Sequence, residues 1–110
     1  MKKNLVIINN EKCIKKGDNF YCENIEISSI TNLLSKTLNI KLILRESAVN
    51  PIHKISNSKV ITSSNIFIFI KNIVNSVIRD NAKYLIISVT PYTFISFLFL
   101  LLFKKKIFLY

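Results

Sequence analysis

The chain has 110 residues, of which 50% are hydrophobic, and its formal net charge is +10. This length allows one domain with a modest core. The charge suggests nucleic acid or an anionic membrane as a partner, but 14 of the 16 basic residues are Lys, and they are scattered along the sequence. Nucleic-acid-binding proteins typically combine clustered Arg with exposed aromatic side chains, a pattern that is not visible here. We therefore expect no nucleic-acid partner.

The N-terminus and the cysteines indicate a reducing compartment. The first ten residues, MKKNLVIINN, turn polar after four apolar residues, so we expect no signal peptide there. Cys13 and Cys22 are the only cysteines, and two unreacted thiols are the simplest interpretation, with a disulfide between them as the alternative. A metal site needs more ligands than the single His53 supplies, so we expect no metal.

The first third of the chain predicts a strand and a helix. Residues 5–8 form a short run rich in β-branched side chains, which is typical of a buried strand, and the polar residues 9–18 predict a loop. Ser28 or Ser29 is expected to cap a helix that ends at Asn39, because Asn often replaces Gly in the left-handed conformation after a helix. The apolar positions of this helix are Ile30, Leu33, Leu34 and Leu38.

A second strand and a long loop follow. Residues 40–44 predict a buried strand directly after the helix. Residues 46–64 contain a Pro, His53 and several Ser and Asn, so they predict a loop with a short strand at 59–61.

The order of helix, Asn and buried strand then recurs. Ser63 or Ser64 is expected to cap the second helix, Arg79 lies in its last turn, Asn81 follows it, and residues 84–89 predict the next strand. Its apolar stripe consists of Ile66, Ile70, Ile73, Val74, Val77 and Ile78.

The final segment has two interpretations. Residues 84–103 contain no charge and precede three lysines, which favours a membrane span with a positive flank. Thr90 is instead a good N-cap, and Pro91 is favoured in the first helical turn, so a strand followed by a helix over residues 91–103 is the better prediction. That helix is only about 20 Å long, too short for a bilayer.

These elements predict an α/β domain with a parallel, Rossmann-like sheet and helices on both of its faces. Ligands of such sheets bind outside the carboxyl ends of the strands, where polar side chains gather in this sequence. The candidate binding residues at these ends are Asn9, Asn10, Arg45, Glu46, Ser47, Thr90 and Tyr92.

Two stretches carry a resemblance to a known family. FYCENIEISSITNLLSKTLNIKLILRES is a helix that leads into a strand ending in Arg45, and YLIISVTPYTFISFLFLLLFKKKIFLY is a strand followed by Thr, Pro, an aromatic residue and an apolar helix. In the order of its elements and in their residue composition, the chain resembles the N-terminal domain of GT-B glycosyltransferases of the family 4 type. The family often has a Gly-rich loop after the first strand, whereas this chain has Asn9, Asn10, Glu11 and Lys12 there.

The resemblance implies the transfer of a sugar from a nucleotide-sugar donor to a lipid-linked or polysaccharide acceptor. In the family a C-terminal domain holds the donor, and 110 residues leave no room for it. We therefore expect an incomplete N-terminal domain that binds the acceptor, contains no cofactor of its own and does not transfer sugar alone. Because Arg45 follows a buried strand, it is a candidate for binding an acceptor phosphate or carboxylate in a bidentate manner, and a structural ion pair with Glu46 or Glu26 is the alternative.

The apolar helix over residues 91–103 needs cover on every side, which a partner domain or a membrane surface would provide. We expect peripheral attachment to the cytoplasmic face of an anionic membrane. The candidate membrane contacts are Phe99, Phe103, Lys104, Lys105 and Lys106. The alternatives are a small integral membrane protein anchored by residues 84–103, with no enzymatic role, and a Rossmann-like binding module.

Overall fold

A computed structural model describes residues 3–22, 25–46, 53–55, 58–87 and 90–109, except for the side chains of Glu11, Ile25, Glu26 and Tyr92. The described elements, in chain order, are β1 (Lys3–Lys16), β2 (Asn19–Cys22), α1 (Ile25–Leu34), β3 (Leu38–Glu46), β4 (His53–Ile55), β5 (Lys59–Ser63), α2 (Ile66–Arg79), β6 (Lys83–Ile86), α3 (Pro91–Leu102) and β7 (Ile107–Leu109). The described part of the chain is thus an α/β structure with one seven-stranded sheet, and the predicted α/β class is confirmed.

The sheet is mixed. Five strands run parallel in the order β7-β6-β1-β3-β5. Two further strands are antiparallel, because β2 pairs with the second half of β1 and β4 pairs with β2. The expectation of a wholly parallel sheet is therefore wrong for β2 and β4.

The antiparallel strands arise where the sequence predicts a loop. Residues 9–16 continue β1, and β2 returns after Gly17 and Asp18 with Lys16 opposite Asn19. Gly17 has a φ of 62° at the first central position of this two-residue turn, which is typical of a type II′ hairpin. An irregularity between Ile8 and Lys12 separates the two halves of β1.

The helices lie on both faces of the sheet, because neighbouring side chains of β1 belong to different cores. Ile7 packs in one core with Ile27 of α1. Ile8 packs in the other core with Phe69 of α2 and Leu100 of α3. The alternation follows from the two-residue period of a strand.

The predicted boundaries of α1 are wrong. Ser28 and Ser29 lie inside this helix and do not cap it, and Asn39 is an exposed residue of β3. The buried residues of α1 are Ile27, Ser28 and Thr31, whereas Leu33 is 65% exposed. The predicted stripe is confirmed at Ile30 and Leu34, which pack against the core that contains Ile27, but Leu38 belongs to β3 and not to the helix.

The start of α2 is also displaced from the prediction. Asn65, and neither Ser63 nor Ser64, caps this helix, with its Oδ1 accepting a hydrogen bond of 3.0 Å from the backbone N–H of Ile68. At the other end the cap is Asp80, in extended conformation, so Asn81 does not end the helix in the left-handed region. The predicted stripe is confirmed at the buried residues Ile73 and Val77, but Ile78 is 70% exposed.

The local signals at the start of α3 are confirmed. The Thr93 backbone N–H donates to Thr90 Oγ1 at 3.3 Å, and the Thr90 N–H donates to Thr93 Oγ1 at 2.6 Å, with Pro91 in the first turn. Residues 84–103 are thus divided between β6 and α3 and do not form one helix. None of the helices in the described ranges is long and apolar enough to cross a bilayer.

A polar network joins α2 to the sheet at the amino ends of the strands. Lys41 Nζ lies 2.7 Å from Asp80 Oδ2, which also accepts a hydrogen bond of 2.8 Å from the Ser76 hydroxyl. The Ser76 hydroxyl lies 3.0 Å from the Tyr84 hydroxyl. Burial disfavours the charged form of Asp80, but hydrogen bonds from Lys41 and Ser76 and the positive charges of Lys41 and Lys59 outweigh it, so the pKa of Asp80 is lowered. Burial raises the pKa of Tyr84.

Candidate ligand site at the carboxyl edge of the sheet

The five parallel strands have their carboxyl ends at the same edge of the sheet, which we call the carboxyl edge. From β1 the chain crosses to β3 and then reaches β5 on one side, and it returns through α2 to β6 on the other side of β1. The chain therefore moves in one direction along the sheet from β1 to β5, and in the opposite direction to reach β6, so the order reverses between β1 and β6. In open α/β sheets, ligands bind outside the carboxyl ends of the strands at such a reversal.

The side chain of Asn9 joins β1 to β6 at this point through a hydrogen bond. Its side chain is 7% exposed, and Nδ2 donates a hydrogen bond of 2.6 Å to the Ile87 carbonyl oxygen. Ile87 directly follows β6, and its own N–H donates to the Ile8 carbonyl oxygen at 3.1 Å. The predicted binding residue Asn9 thus has a structural role, because its side chain joins the carboxyl ends of β1 and β6.

Asn10 and Arg45 are brought together on the adjacent strands β1 and β3. Arg45 Nη1 donates a hydrogen bond of 3.2 Å to Asn10 Oδ1, and both side chains are half-buried. Arg45 lies two residues after Ile43, which packs in the core of α2 and α3. The guanidinium group is therefore on the α2–α3 face of the sheet.

Ser63 and Asn72, which are not among the predicted binding residues, extend this row. Ser63 of β5 is in register with Arg45 of β3, and its Oγ accepts a hydrogen bond of 2.8 Å from Asn72 Nδ2 of α2. The sequence does contain a signal for Asn72, because this residue is polar and lies between Phe69 and Ile73 on the inward side of an apolar helix. We call Asn9, Asn10, Arg45, Ser63 and Asn72 the carboxyl-edge cluster.

The other predicted site residues have different positions. Glu46 is exposed at the end of β3, and Thr90 is half-buried as the cap of α3. Tyr92 is in the first turn of α3, but its side chain lies outside the described residues, as does the whole of Ser47. His53 was predicted to lie in a loop, but it is the first residue of β4 and pairs with Cys22 of β2.

The chemistry of the carboxyl-edge cluster favours anion binding. It contains one guanidinium group, three amides and one hydroxyl, which together donate hydrogen bonds and carry positive charge. Arg binds phosphate and carboxylate groups in a bidentate manner. Amide and guanidinium groups are poor general bases at neutral pH, so this arrangement is suited to binding and positioning a ligand.

An apolar cavity lies on the same face of the sheet. Its volume is about 230 Å³, and it is located between the first half of α3 and the strands β6 and β7. The lining residues are Ile86, Thr93, Phe94, Phe97 and Leu109. The cavity, beside β6, and Arg45, on β3, are thus on opposite sides of β1, with α3 packed over that strand.

The outward side of α3 is more apolar than its inward side. Thr93, Ser96 and Leu100 are fully buried against the sheet. The exposed large hydrophobic residues of the helix, which recur at helical spacing, are Phe94, Leu98, Leu101 and Leu102. This stripe, which we call the α3 outer face, is contiguous with the exposed Phe103.

Of the predicted membrane contacts, Phe99 faces inward and packs at the core. Phe103 is 44% exposed, Lys104 and Lys106 are exposed, and Lys105 is half-buried. The lysines directly follow the α3 outer face. Phe99 is therefore the least suited of the five predicted residues to contact a membrane.

Among the described residues, no three His, Cys, Asp or Glu side chains are grouped as metal ligands would be. Comparison with known proteins finds no matching family model, no matching curated protein and no matching solved structure.

Proposed function

We propose that this chain is the acceptor-binding, Rossmann-like part of a glycosyltransferase, and that its acceptor is a lipid-linked phosphate. The observation that carries the proposal is the hydrogen bond between Asn10 and Arg45 at the carboxyl ends of β1 and β3. It holds a guanidinium group at the edge of the sheet where α/β proteins bind their ligands.

The apolar cavity beside α3 supports the lipid part of the acceptor. Neighbouring strands are about 4.8 Å apart, so β6 lies about 10 Å from β3. A phosphate on Arg45 would therefore lie within reach of an isoprenoid chain that enters the cavity at Phe94 and Phe97. A sugar acceptor without a lipid would leave this apolar space unused.

The α3 outer face supports peripheral attachment to an anionic lipid bilayer at the cytoplasmic side. An exposed apolar stripe gains free energy when it enters the acyl region of an interface, at about 25 cal/mol per Å² of apolar surface. Lys104 and Lys106 would then meet the anionic head groups. Such an orientation brings the cavity close to the source of a lipid-linked acceptor.

The carboxyl-edge cluster binds and positions the acceptor in this proposal, and a separate donor-binding domain supplies the nucleotide-sugar. The purified chain is expected to bind the acceptor without transferring sugar to it. Sugar transfer by the chain alone would contradict this division of roles.

The test is a binding titration with a short-chain isoprenyl phosphate. Arg45→Ala should weaken binding by roughly 10- to 100-fold, because a charge-assisted hydrogen bond contributes about 1.5–3 kcal/mol. Arg79→Ala is the matched control, since Arg79 is exposed at the far end of α2. The uncharged isoprenol should bind weakly to every variant, and equal losses in Arg45→Ala and Arg79→Ala would overturn the proposal.

A further inference from the structure

The two cysteines face each other in the hairpin of β1 and β2. Cys13 and Cys22 are direct partners across the two strands, three positions from the closing pair formed by Lys16 and Asn19. In a two-residue turn, the closing pair is hydrogen-bonded, and hydrogen-bonded and non-hydrogen-bonded pairs then alternate along the ladder. Cys13 and Cys22 therefore form a non-hydrogen-bonded pair.

This type of pair has the geometry that a disulfide requires. Its Cα atoms are about 4.5 Å apart and its side chains are closer than in a hydrogen-bonded pair. Disulfides join Cα atoms that are about 4.4–6.8 Å apart. Both thiols are fully buried in the core that contains α1, so they lie on the same face of the hairpin.

We propose that Cys13 and Cys22 form a redox-active dithiol, which a hydroperoxide or a small disulfide converts into a disulfide across the hairpin. With a hydroperoxide, the thiolate of one cysteine attacks the peroxide oxygen, the O–O bond breaks, and a sulfenic acid forms. The second thiolate then attacks that sulfur and releases water after protonation. The two thiols lose two electrons and two protons, and the peroxide is reduced to water and an alcohol.

A disulfide between Cys13 and Cys22 would affect the neighbouring residues of β1. Cys13 directly follows Lys12, where the irregularity of β1 ends, and the irregularity contains Asn9 and Asn10. A disulfide would fix the hairpin next to these two residues of the carboxyl-edge cluster. Access of a small oxidant requires a local opening of the hairpin, as occurs in sub-global unfolding. The inference does not depend on which ligand the cluster binds.

The test uses the purified, fully reduced chain and hydrogen peroxide. After oxidation, the protein is denatured, treated with an alkylating reagent and weighed as an intact monomer. The expected product has lost about 2 Da, for the two hydrogen atoms of a disulfide, and carries no alkyl group. Cys13→Ser and Cys22→Ser, taken singly, should instead form sulfenic or more oxidised species or disulfide-linked dimers.

If these variants do not fold, the folding stability of the oxidised and reduced wild-type chain provides a second test. Closing a loop of about ten residues should raise the folding equilibrium constant of the wild-type chain roughly 100-fold, and a dithiol reductant should reverse this change. Two thiols that are still alkylated after peroxide treatment would overturn the inference. Oxidation that gives only dimers, or that occurs only in denaturant, would overturn it as well.

Discussion

The side-chain amide of Asn9 donates a buried hydrogen bond of 2.6 Å to the carbonyl oxygen of Ile87. The two residues are 78 positions apart in sequence. Their bond joins the carboxyl ends of β1 and β6, where the direction of chain crossing reverses. It therefore fixes the end of β1 next to Asn10, whose side chain accepts the hydrogen bond from Arg45.

Asn9→Ala should destabilise the protein by about 1–3 kcal/mol, because the Ile87 carbonyl oxygen would lose a partner while it remains buried. The measurement is the free energy of unfolding in urea. Asn39→Ala is the matched control, since Asn39 is exposed at the opposite edge of the sheet, and it should change stability by less than about 0.5 kcal/mol. Equal effects of the two substitutions would contradict the assigned role of Asn9.

The ion pair between Lys41 and Asp80 makes stability depend on pH. The folded-state pKa of Asp80 is lowered, so its stabilising contribution is present above the unfolded-state pKa of about 3.9 and is lost as the pH falls through the folded-state value. Asp80→Asn should cost about 1–2 kcal/mol at pH 7 and progressively less below pH 4 or so. Unfolding curves measured between neutral pH and about pH 2 test this prediction, and Asp18→Asn, at an exposed position, is the control. A pH-independent difference between wild type and Asp80→Asn would contradict it.

Lys104 occupies an unfavourable backbone conformation after α3. Its φ is 57°, its N–H donates to the Leu101 carbonyl oxygen, and the Lys105 N–H donates to the Leu100 carbonyl oxygen. These are the two bonds of a Schellman motif, in which Gly is preferred at the left-handed position. Lys104→Gly should therefore stabilise the fold by about 0.5–1 kcal/mol, as measured by denaturant unfolding, while Lys106→Gly should not. A destabilised Lys104→Gly variant would mean that α3 does not end in this motif.

The α3 outer face should govern membrane attachment. Leu101 is 51% exposed, so Leu101→Glu should leave the fold intact and weaken binding to vesicles of anionic phospholipid by roughly tenfold or more. Phe67→Glu is the matched control, because Phe67 is an apolar residue of α2 that is 80% exposed. Co-sedimentation with vesicles measures the effect. Similar losses in both variants would indicate nonspecific adhesion and contradict a role of α3.

The sequence predicted those elements whose signals are local. Thr90 and Pro91 defined the start of α3 because capping depends on the first helical turn alone. The strand predicted over residues 59–61 is found as β5 for the same reason, since a β-branched run between polar residues favours a strand regardless of its neighbours.

Features that depend on distant partners escaped prediction. The second half of β1 is rich in Lys and lacks an apolar pattern, and it is a strand because β2 and β3 pair with it. The inward side of α3 was not predictable either, because a helix that is apolar all round gives no preference for one side. At the site, the bond between Asn10 and Arg45 joins residues 35 positions apart, so the sequence predicted both residues but not their contact.

The most direct test of acceptor binding at the carboxyl edge is a map of backbone amide NMR shifts during titration with a short-chain isoprenyl phosphate. The proposal predicts that the largest shift changes occur at Asn10, Arg45 and Ser63 and around the cavity at Phe94. Amide signals at the amino edge, such as those of Asn39 and Asp80, should not move. Changes concentrated at the amino edge, or no saturable change at the carboxyl edge, would contradict the proposed function.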